Sequence, residues 1–191
     1  MVKNFFSIIC VLFAVTANAQ TDFPLKGFLR TQGTISPGFS LSENGSNIYL
    51  HGDLEFYPEN HISVRGESYF LVGGSNSKNG IREFTNYFGA VYHFIGNKKF
   101  DPYVGFQPGV AIRHYEIYCV DITGVDCPTG YTISPQMSLI TGINFYLNKY
   151  LHFFGMMRYI NGRDASFSFD YPMNEIRFSA GLGWNLRVMS N

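Results

Sequence analysis

Residues 48–72 alternate between apolar and polar side chains in two successive segments. In the first segment every second residue from Ile48 to Phe56 is apolar or glycine, and the residues between are polar or aromatic. The alternation resumes from Ile62 to Val72, after the turn Pro58-Glu59-Asn60. Side chains of a strand point alternately to opposite faces, so this pattern predicts two strands joined by a tight turn. Each strand then has one apolar face and one polar, charged face.

Six further segments show related alternation, which brings the number of predicted strands to eight. The first of them is joined to the pair above by residues 43–47, in which Asn44-Gly45 is a strong hairpin signal. The last has glycine at two successive inward-phase positions, Gly181 and Gly183. The six predicted strands are 27–41, 84–94, 103–115, 132–147, 151–159 and 175–188.

The connections between these strands alternate between short and long after the first one. Short turns are predicted at 58–60, 96–100 and 148–149, and the other connections are longer. Outer-membrane barrels have tight turns at the periplasmic end and longer loops outside the cell. Aromatic residues crowd the short-turn ends, as expected for a girdle of rings at the level of the lipid headgroups. These residues are Phe56, Tyr57, Phe94, Phe100, Tyr103, Phe145, Tyr146 and Tyr150.

The N-terminus has the pattern of a secretory signal peptide. Lys3 supplies a positive charge, residues 5–15 form a short apolar run, and Ala17-Asn18-Ala19 has the small residues at which signal peptidase cuts. We therefore expect residues 1–19 to be removed between Ala19 and Gln20. The mature chain, residues 20–191, is then one exported domain of 172 residues.

Charged residues are scarce, at 15% of the chain against about a quarter in soluble domains. Without Lys3 there are 13 basic and 14 acidic residues, a net charge of −1 that provides no basic surface for nucleic acid. A large lipid-facing surface explains the low charge. Beyond the signal, no stretch approaches the ~20 apolar residues of a transmembrane helix, so a membrane span must consist of strands closed into a barrel.

A secreted soluble β-domain is the alternative interpretation of the same alternation. Water-exposed sheet faces usually carry Lys and Glu, but every lysine of the mature chain lies at a strand end, loop or turn. The polar face instead mixes charges of both signs with Tyr, Ser, Thr and Gln, which favours a small lumen filled by ion pairs. The charged residues on this face are Asp53, Glu55, Arg65, Glu67, Arg113, Arg158, Glu175 and Arg177.

The turn at 58–60 predicts which of these charges meet. If it has three residues, Asp53 lies opposite Arg65 and His51 lies opposite Glu67, and opposite charges across a ladder attract. The predicted members of lumen charge pairs are Asp53, Arg65, His51, Glu67, Glu175 and Arg177.

Pro37, Pro108 and Pro135 fall inside predicted strands. A closed barrel has no free edge at which a missing N–H donor is harmless. We therefore expect bulges near the outer rim to accommodate these prolines.

Three segments resemble the small outer-membrane β-barrel family common in Bacteroidetes-type bacteria, which is related in shape to OmpA- and OmpX-like barrels. They are 100–109 (FDPYVGFQPG), 142–149 (GINFYLNK) and 178–184 (FSAGLGW), and the general pattern extends over nearly the whole mature chain. The resemblance agrees with the fold class that the alternation predicts: all-β, an eight-stranded antiparallel up-and-down transmembrane β-barrel. It implies integral outer-membrane location and no known activity, with outer-membrane lipid and the barrel-assembly machinery as partners.

Candidate chemistry is sparse. His61 and Ser63 have the spacing of a base and a nucleophile, but they flank a short turn on the periplasmic side. His114, Glu116 and Asp121 lie at the outer end, without a serine tied to them by spacing. The five histidines are scattered and no glycine-rich phosphate loop is present. We therefore predict no catalysis, cofactor or metal, and a lipid-modifying enzyme at the barrel rim is a minor alternative.

The fold narrows the function to two main classes. Loops on a rigid scaffold often carry binding, which favours a structural or interaction role with a protein or surface partner at the external loops. A narrow pore or an accessory of a transporter is the alternative, although eight strands enclose little more than room for side chains.

Cys119 and Cys127 are predicted to form a disulfide in the third external loop. With Cys10 removed they are the only pair, seven residues lie between them, and an exported loop is in an oxidising environment. On the loop-entropy account the bridge stabilises the loop by about 2–3 kcal/mol. Thiol labelling of the unreduced, denatured protein should detect no free thiol, and two labelled cysteines would refute the bridge.

Overall fold

The computed structural model describes residues 25–42, 45–78, 80–95, 99–115, 130–164 and 171–188. The predicted signal peptide and its cleavage point between Ala19 and Gln20 lie outside these residues, as do Cys119 and Cys127. The prediction of a disulfide therefore stays a prediction.

The described chain contains eight long strands, one two-residue strand and one turn of helix. The long strands have 11 to 17 residues, at least the 9–11 that cross a bilayer at a tilt. Among the described residues no helix is long and apolar enough to span a membrane. The elements are β1 Phe28–Ser40, β2 Ser46–Phe56, β3 Ile62–Gly74, α1 Ser75–Lys78, β4 Ile81–His93, β5 Phe100–Tyr115, β6 Gly130–Tyr146, β7 Leu151–Asp164, β8 Tyr171–Pro172 and β9 Glu175–Arg187.

The eight long strands close into a single antiparallel barrel. Successive strands pair from β1 to β7, β7 pairs with β9, and β9 completes the ring by pairing with β1. The short β8 pairs with the end of β7, at Arg163↔Pro172 and Asp164↔Tyr171. The predicted eight-stranded up-and-down barrel is confirmed.

At the long-loop side of the barrel, two strands extend at least three residues beyond the bounds that the sequence pattern predicts. β4 begins at Ile81 where Phe84 was predicted, and β7 continues to Asp164 where Tyr159 was predicted. At both places charged or small residues interrupt the apolar alternation, although the backbone continues to pair. Strand ends at the long-loop side of the barrel are therefore set by backbone pairing more than by side-chain polarity.

The two faces of each strand have the predicted polarity. Leu50 and Leu54 on β2 point outward and are 56% and 52% exposed, whereas Tyr49, His51 and Glu55 between them are buried. The outer wall is thus a continuous apolar belt, and the inner face carries the polar and charged side chains. An apolar exterior around a charged interior suits a barrel surrounded by lipid.

Part of the predicted aromatic girdle lies inside the barrel instead. Phe94, Phe100 and Tyr150 are exposed near the short turns, but Tyr57, Tyr103 and Tyr146 are buried. Tyr103 and Tyr146 occupy inward positions of their strands, and Tyr57 follows β2 in the same phase. The prediction was wrong for these three rings because it used closeness to a turn and disregarded the face.

The strand prolines are accommodated without bulges. The pairing register is constant across Pro37 in β1–β2, across Pro135 in β5–β6, and on either side of Pro108 in β4–β5. The β4–β5 ladder omits the pair that contains Pro108, between Tyr87↔Gly109 and Ala90↔Phe106, while β6 still pairs with Pro108. The predicted bulges are therefore wrong: the register is unchanged at each proline, and the β4–β5 ladder omits two pairs, those of Pro108 and its neighbour Gln107.

The sole tryptophan, Trp184, reports on the orientation of the outer wall. It is 55% exposed on β9 and pairs with Thr31, near the short-turn end of β1. Because the ring faces outward close to one membrane interface, phospholipids brominated near the headgroup should quench its fluorescence. Bromine at the end of the acyl chain should quench it less, and aqueous iodide should have little effect. Strong quenching by iodide would contradict the lipid-facing orientation of this wall.

Candidate functional site

The most distinctive chemistry of the molecule is a network of buried charges inside the barrel. Among the described residues, five arginines and six carboxylates point inward and are no more than 9% exposed. An isolated charge in such an enclosure carries a large desolvation cost, so each must be paired or hydrogen-bonded. The eleven residues are Arg30, Arg65, Arg113, Arg158, Arg177, Asp53, Glu55, Glu67, Glu83, Asp101 and Glu175.

The register of β2 and β3 differs from the predicted one by two residues. Asp53 faces Glu67 and Glu55 faces Arg65, so the predicted opposition of Asp53 and Arg65 is wrong. The ladder starts at Phe56↔Val64, and the connection between the ends of β2 and β3, residues 57–61, has five residues where three were predicted.

The connection is longer because its ends bond to the outer neighbours of the hairpin. The backbone N–H of Tyr57 donates to the carbonyl of Phe28 at 3.0 Å, on the β1 side. The carbonyl of His61 accepts from the N–H of His93 at 2.8 Å, on the β4 side. Residues 57 and 61 therefore do not close the hairpin against each other.

The predicted opposition of His51 and Glu67 is wrong for the same reason, since His51 faces Tyr69. The side chains nevertheless meet diagonally, with His51 Nε2 3.2 Å from Glu67 Oε2. His51 also stacks on Tyr69, with ring centroids 4.3 Å apart.

Glu55 is the centre of the cluster nearest the short turns. Arg30 and Ser63 both donate hydrogen bonds to its carboxylate. Arg65 donates to Glu55 Oε2 through Nη2 at 2.6 Å and through Nε at 3.0 Å. One carboxylate from β2 is thus shared by arginines of both flanking strands.

In the same cluster a serine, a histidine and an aspartate form a chain of hydrogen bonds. Ser63 Oγ lies 3.0 Å from His93 Nε2, and His93 Nδ1 lies 2.7 Å from Asp101 Oδ2. This order resembles a hydrolase triad, but the hydroxyl of Ser63 is fully buried and donates to Glu55. A substrate carbonyl has no approach to the oxygen, so the arrangement is a structural hydrogen-bond chain.

Glu67 and Arg158 form the middle cluster. Arg158 Nη2 lies 2.6 Å from Glu67 Oε2 and also donates to Gln107 Oε1 at 2.6 Å. Its Nε donates to the hydroxyl of Tyr69 at 3.2 Å, and Nη1 donates to Ser138. This arginine therefore links β7 to β3, β5 and β6 across the lumen.

The cluster nearest the long loops contains Glu83, Arg113, Arg177 and Glu175. Arg113 Nε donates to Glu83 Oε2 at 2.7 Å, and Arg177 Nη2 lies 2.9 Å from Glu83 Oε1. Arg177 also contacts Glu175, its neighbour on the same face of β9, at 2.8 Å. The hydroxyl of Tyr49 donates to Glu175 at 3.0 Å.

Tyrosine rings fill the space between these clusters. The guanidinium carbon of Arg177 lies 3.7 Å from the ring centroid of Tyr49, and that of Arg158 lies 4.2 Å from the centroid of Tyr87. Cation–π contacts of this kind are strongest when both groups are shielded from water. The rings thus stabilise the arginines while they occlude the lumen.

His51, Asp53 and Glu67 form the one group in the described residues whose donor atoms are close enough together for a metal, within 4.8 Å of one another. Arg158 lies 2.6 Å from Glu67 Oε2 and Arg65 lies 3.6 Å from Oε1. Two guanidinium groups beside the shared carboxylate oppose the binding of a further cation. The group therefore fits the ion-pair network better than a metal centre.

Sequence reasoning missed several members of the network. Glu83 lies one residue before the predicted start of β4, yet it pairs directly with Arg113 in the ladder. Arg30 was missed because the outward positions beside it include Thr31 and Gly33, which are not apolar side chains and weaken the alternation along β1. Both residues could have been found by extending each strand beyond its apolar part and looking for charged residues at the positions that point inward.

Three solved structures share this architecture. The outer membrane protein OprG from Pseudomonas aeruginosa has a TM-score of 0.65 at 11% identity, covering 86% of this chain and 98% of that chain. The N-terminal β-barrel domain of Pseudomonas aeruginosa OprF has a TM-score of 0.54 at 11% identity, with 84% and 98% covered. Neisserial surface protein A also has a TM-score of 0.54 at 11% identity, with 84% and 96% covered.

These structural similarities are evidence for the fold alone. No family model and no curated protein matches the sequence. At 11% identity the structural neighbours show that the chain has the fold of small outer-membrane β-barrels, in agreement with the predicted fold class. The three clusters of the lumen are described from this chain alone.

The Glu55–Arg65 contact provides a test of the network. Glu55→Gln removes the carboxylate that Arg30 and Arg65 share, and Arg65→Leu leaves Glu55 with one of its two arginines. Each single variant should cost up to about 3–5 kcal/mol of unfolding free energy. The double variant should cost clearly less than the sum of the two. Urea unfolding in lipid vesicles measures the three values.

The exposed pair Lys26–Glu59 is the matched control. Its charged atoms are 2.8 Å apart, but the side chains are 49% and 61% exposed. Alanine substitutions there should show a coupling of less than about 1 kcal/mol, because water screens the pair. A Glu55–Arg65 coupling no larger than this control would mean that each lumen charge is hydrated separately.

Proposed function

We propose that this protein is an integral outer-membrane barrel with an occluded lumen, which serves as a rigid platform for its long external loops. The observation that carries the proposal is the filling of the lumen by buried ion pairs at three successive levels, around Glu55, Glu67 and Glu83. No reaction and no cofactor form part of the proposed function. The outer-membrane fold of the structural neighbours supports the location.

The geometry of the interior supports an occluded lumen over a channel. Eight strands enclose a space just wide enough for side chains. Here Arg65, Arg158 and Arg177 are at most 1% exposed, so their guanidinium groups lie across the lumen and do not line an open path. Ion conduction would require these salt bridges to open together. The free-energy cost would be large, because each charge is removed from water and would lose its countercharge.

The long-loop end has features of a fixed platform. The helix α1 is tied to β2, since the N–H of Asn76 donates to Asn47 Oδ1 at 3.0 Å. β7 extends past the ring into its small hairpin with β8, and the N–H of Met173 donates to the carbonyl of Gly162 at 2.9 Å. These contacts anchor the described elements at the long-loop end, and binding is often carried by loops that such a rigid scaffold supports.

Membrane insertion and occlusion are tested together on the purified protein. The protein should resist carbonate extraction from membranes and migrate faster on gels when unboiled. In a planar bilayer it should then produce no steady conductance, because the salt bridges obstruct the lumen. A known large porin in the same bilayers is the control for sensitivity.

Different results would contradict the membrane location and the occluded lumen. Recovery as a soluble exported monomer would overturn the membrane location. A steady single-channel current from an inserted barrel would establish the narrow pore instead. The interaction role is tested by replacing the loop at 116–129 with a short Gly-Ser linker. The variant should lose the proteins that crosslink to the barrel on native membranes, while it keeps the heat-modifiable migration of a folded barrel. An unchanged set of crosslinked proteins would argue against this loop.

A further inference from the structure

The pairing between β1 and β9, which closes the barrel, is interrupted in the middle. The ladder runs from Phe28↔Arg187 to Gln32↔Gly183 and resumes from Gly38↔Arg177 to Ser40↔Glu175. Residues 33–37 and 178–182, all within the described part of the chain, have no ladder pairs with each other. The register is the same on both sides, so the strands remain aligned while the ladder is open.

Side-chain hydroxyls bridge the strands at this interruption. Thr34 Oγ1 donates to the carbonyl of Ala180 at 2.7 Å, and Ser36 Oγ donates to the carbonyl of Phe178 at 2.6 Å. Pro37, which follows, has no N–H to contribute. Carbonyls within a membrane need a donor from the protein, and two hydroxyls of β1 supply it here.

The outer wall is indented over the same place. An apolar groove of about 640 Å³ extends across β1, β9, β7 and β6. Ile143, Gly155 and Ala180 lie side by side on successive strands, so two small residues are flanked by a large one. A Cβ atom placed on Gly155 would meet nothing closer than the Ile143 side chain at 3.8 Å, so the space above this glycine is open. Ile35 on β1, 65% exposed, borders the other side.

The groove carries no charge, and its hydroxyl groups are already engaged. Thr141 Oγ1 donates to the carbonyl of Tyr103 at 3.3 Å, and Ser179 Oγ lies 2.6 Å from Ser36 Oγ. Met157 and Phe178, 40% and 44% exposed, form the border toward the long loops. The exposed side chains of the walls therefore offer dispersion contacts to hydrocarbon, and they present no charge and no unengaged hydroxyl to a polar ligand.

We propose that this groove binds a single acyl chain of a membrane lipid, held against the interrupted β1–β9 closure. The groove is continuous with the lipid-facing belt, so hydrocarbon surrounds it on every side. Close packing leaves no stable void of this size in a membrane, and a flexible acyl chain is the component that can enter it. The proposal rests on the membrane location given under the proposed function.

A second copy of the barrel fits the groove less well. A two-fold interface places the same patch of both subunits face to face, so it would bring one concave surface against another. Large side chains around the small residues would then hold the two floors apart. The acyl chain fills the indentation from one side without that restriction.

The test uses the full-length mature protein in vesicles with a phospholipid that carries a photoreactive diazirine in one acyl chain. After irradiation, peptide mass spectrometry should place adducts on the groove strands at about threefold the level on the β3–β4 face, because the indentation increases the dispersion contacts of the chain. Gly155→Leu fills the groove and should abolish this excess. Gly66→Leu is the matched control, since Gly66 is an outward glycine on β3 whose added Cβ would lie 3.6 Å from Phe88.

The outcomes separate this inference from the proposed location. Labelling spread evenly around a barrel that resists carbonate extraction would overturn the acyl-chain site and leave the location intact. A protein that carbonate extracts and that acquires no label would overturn the location itself. A crosslinked dimer that shields the groove strands, and that Gly155→Leu disrupts, would assign the groove to a second copy. If Gly155→Leu fails to fold, Ala180→Leu fills the same groove and must give the same loss.

Discussion

Desolvation of charge inside a narrow barrel is the constraint on which the other features depend. Each guanidinium of the lumen is removed from water, so it is tolerated only where a carboxylate meets it with good geometry. Glu55, Glu67 and Glu83 meet this need at three levels, and each of them binds an arginine of another strand. The contacts of Glu67 and Glu83 cross the lumen, so they fix the positions of strands that are not neighbours in the sheet.

The sequence was sufficient for the fold because the barrel requires a period of two on every strand. Alternation identified both faces of β2 and β3 and the number of long strands, and the structure agrees. Side-chain pairs were less predictable, since they depend on the register and the register depends on the length of a turn. The turn after β2 offered 58–60 as its obvious residues, whereas backbone bonds from Tyr57 to β1 and from His61 to β4 lengthen it to five.

A second limit on prediction is that the ion pairs are not formed simply between facing residues. Arg158 on β7 reaches Glu67 on β3, and Arg177 on β9 reaches Glu83 on β4, which are contacts across the interior. No spacing along one hairpin encodes such a contact. The composition of the inward face predicted that charges would pair, but only the closed ring determines which charges meet.

At the closure of the barrel, backbone polar groups likewise need a partner inside the protein. Proline interrupts hydrogen bonding wherever it occurs in a closed sheet, yet Pro37 lies where Thr34 and Ser36 donate to the carbonyls of β9. The strands can then separate slightly without leaving those carbonyls unbonded in hydrocarbon. The small outward residues Gly155 and Ala180 lie on the other side of the same wall.

The proposed function and the proposed acyl-chain site both lie on surfaces outside the ion-pair network, at the long-loop end and on the outer wall. Buried ion pairs resist rearrangement, since moving one charge leaves its partner uncompensated. A ligand at the loops or at the outer wall would therefore meet a barrel that does not change shape around it. Recognition by such a barrel depends on complementary surfaces that are present before binding, which lowers the entropic cost of association. On the proposed function, a partner would therefore be selected at the long-loop end, where α1 and β8 lie, and a lipid chain at the groove over β1 and β9.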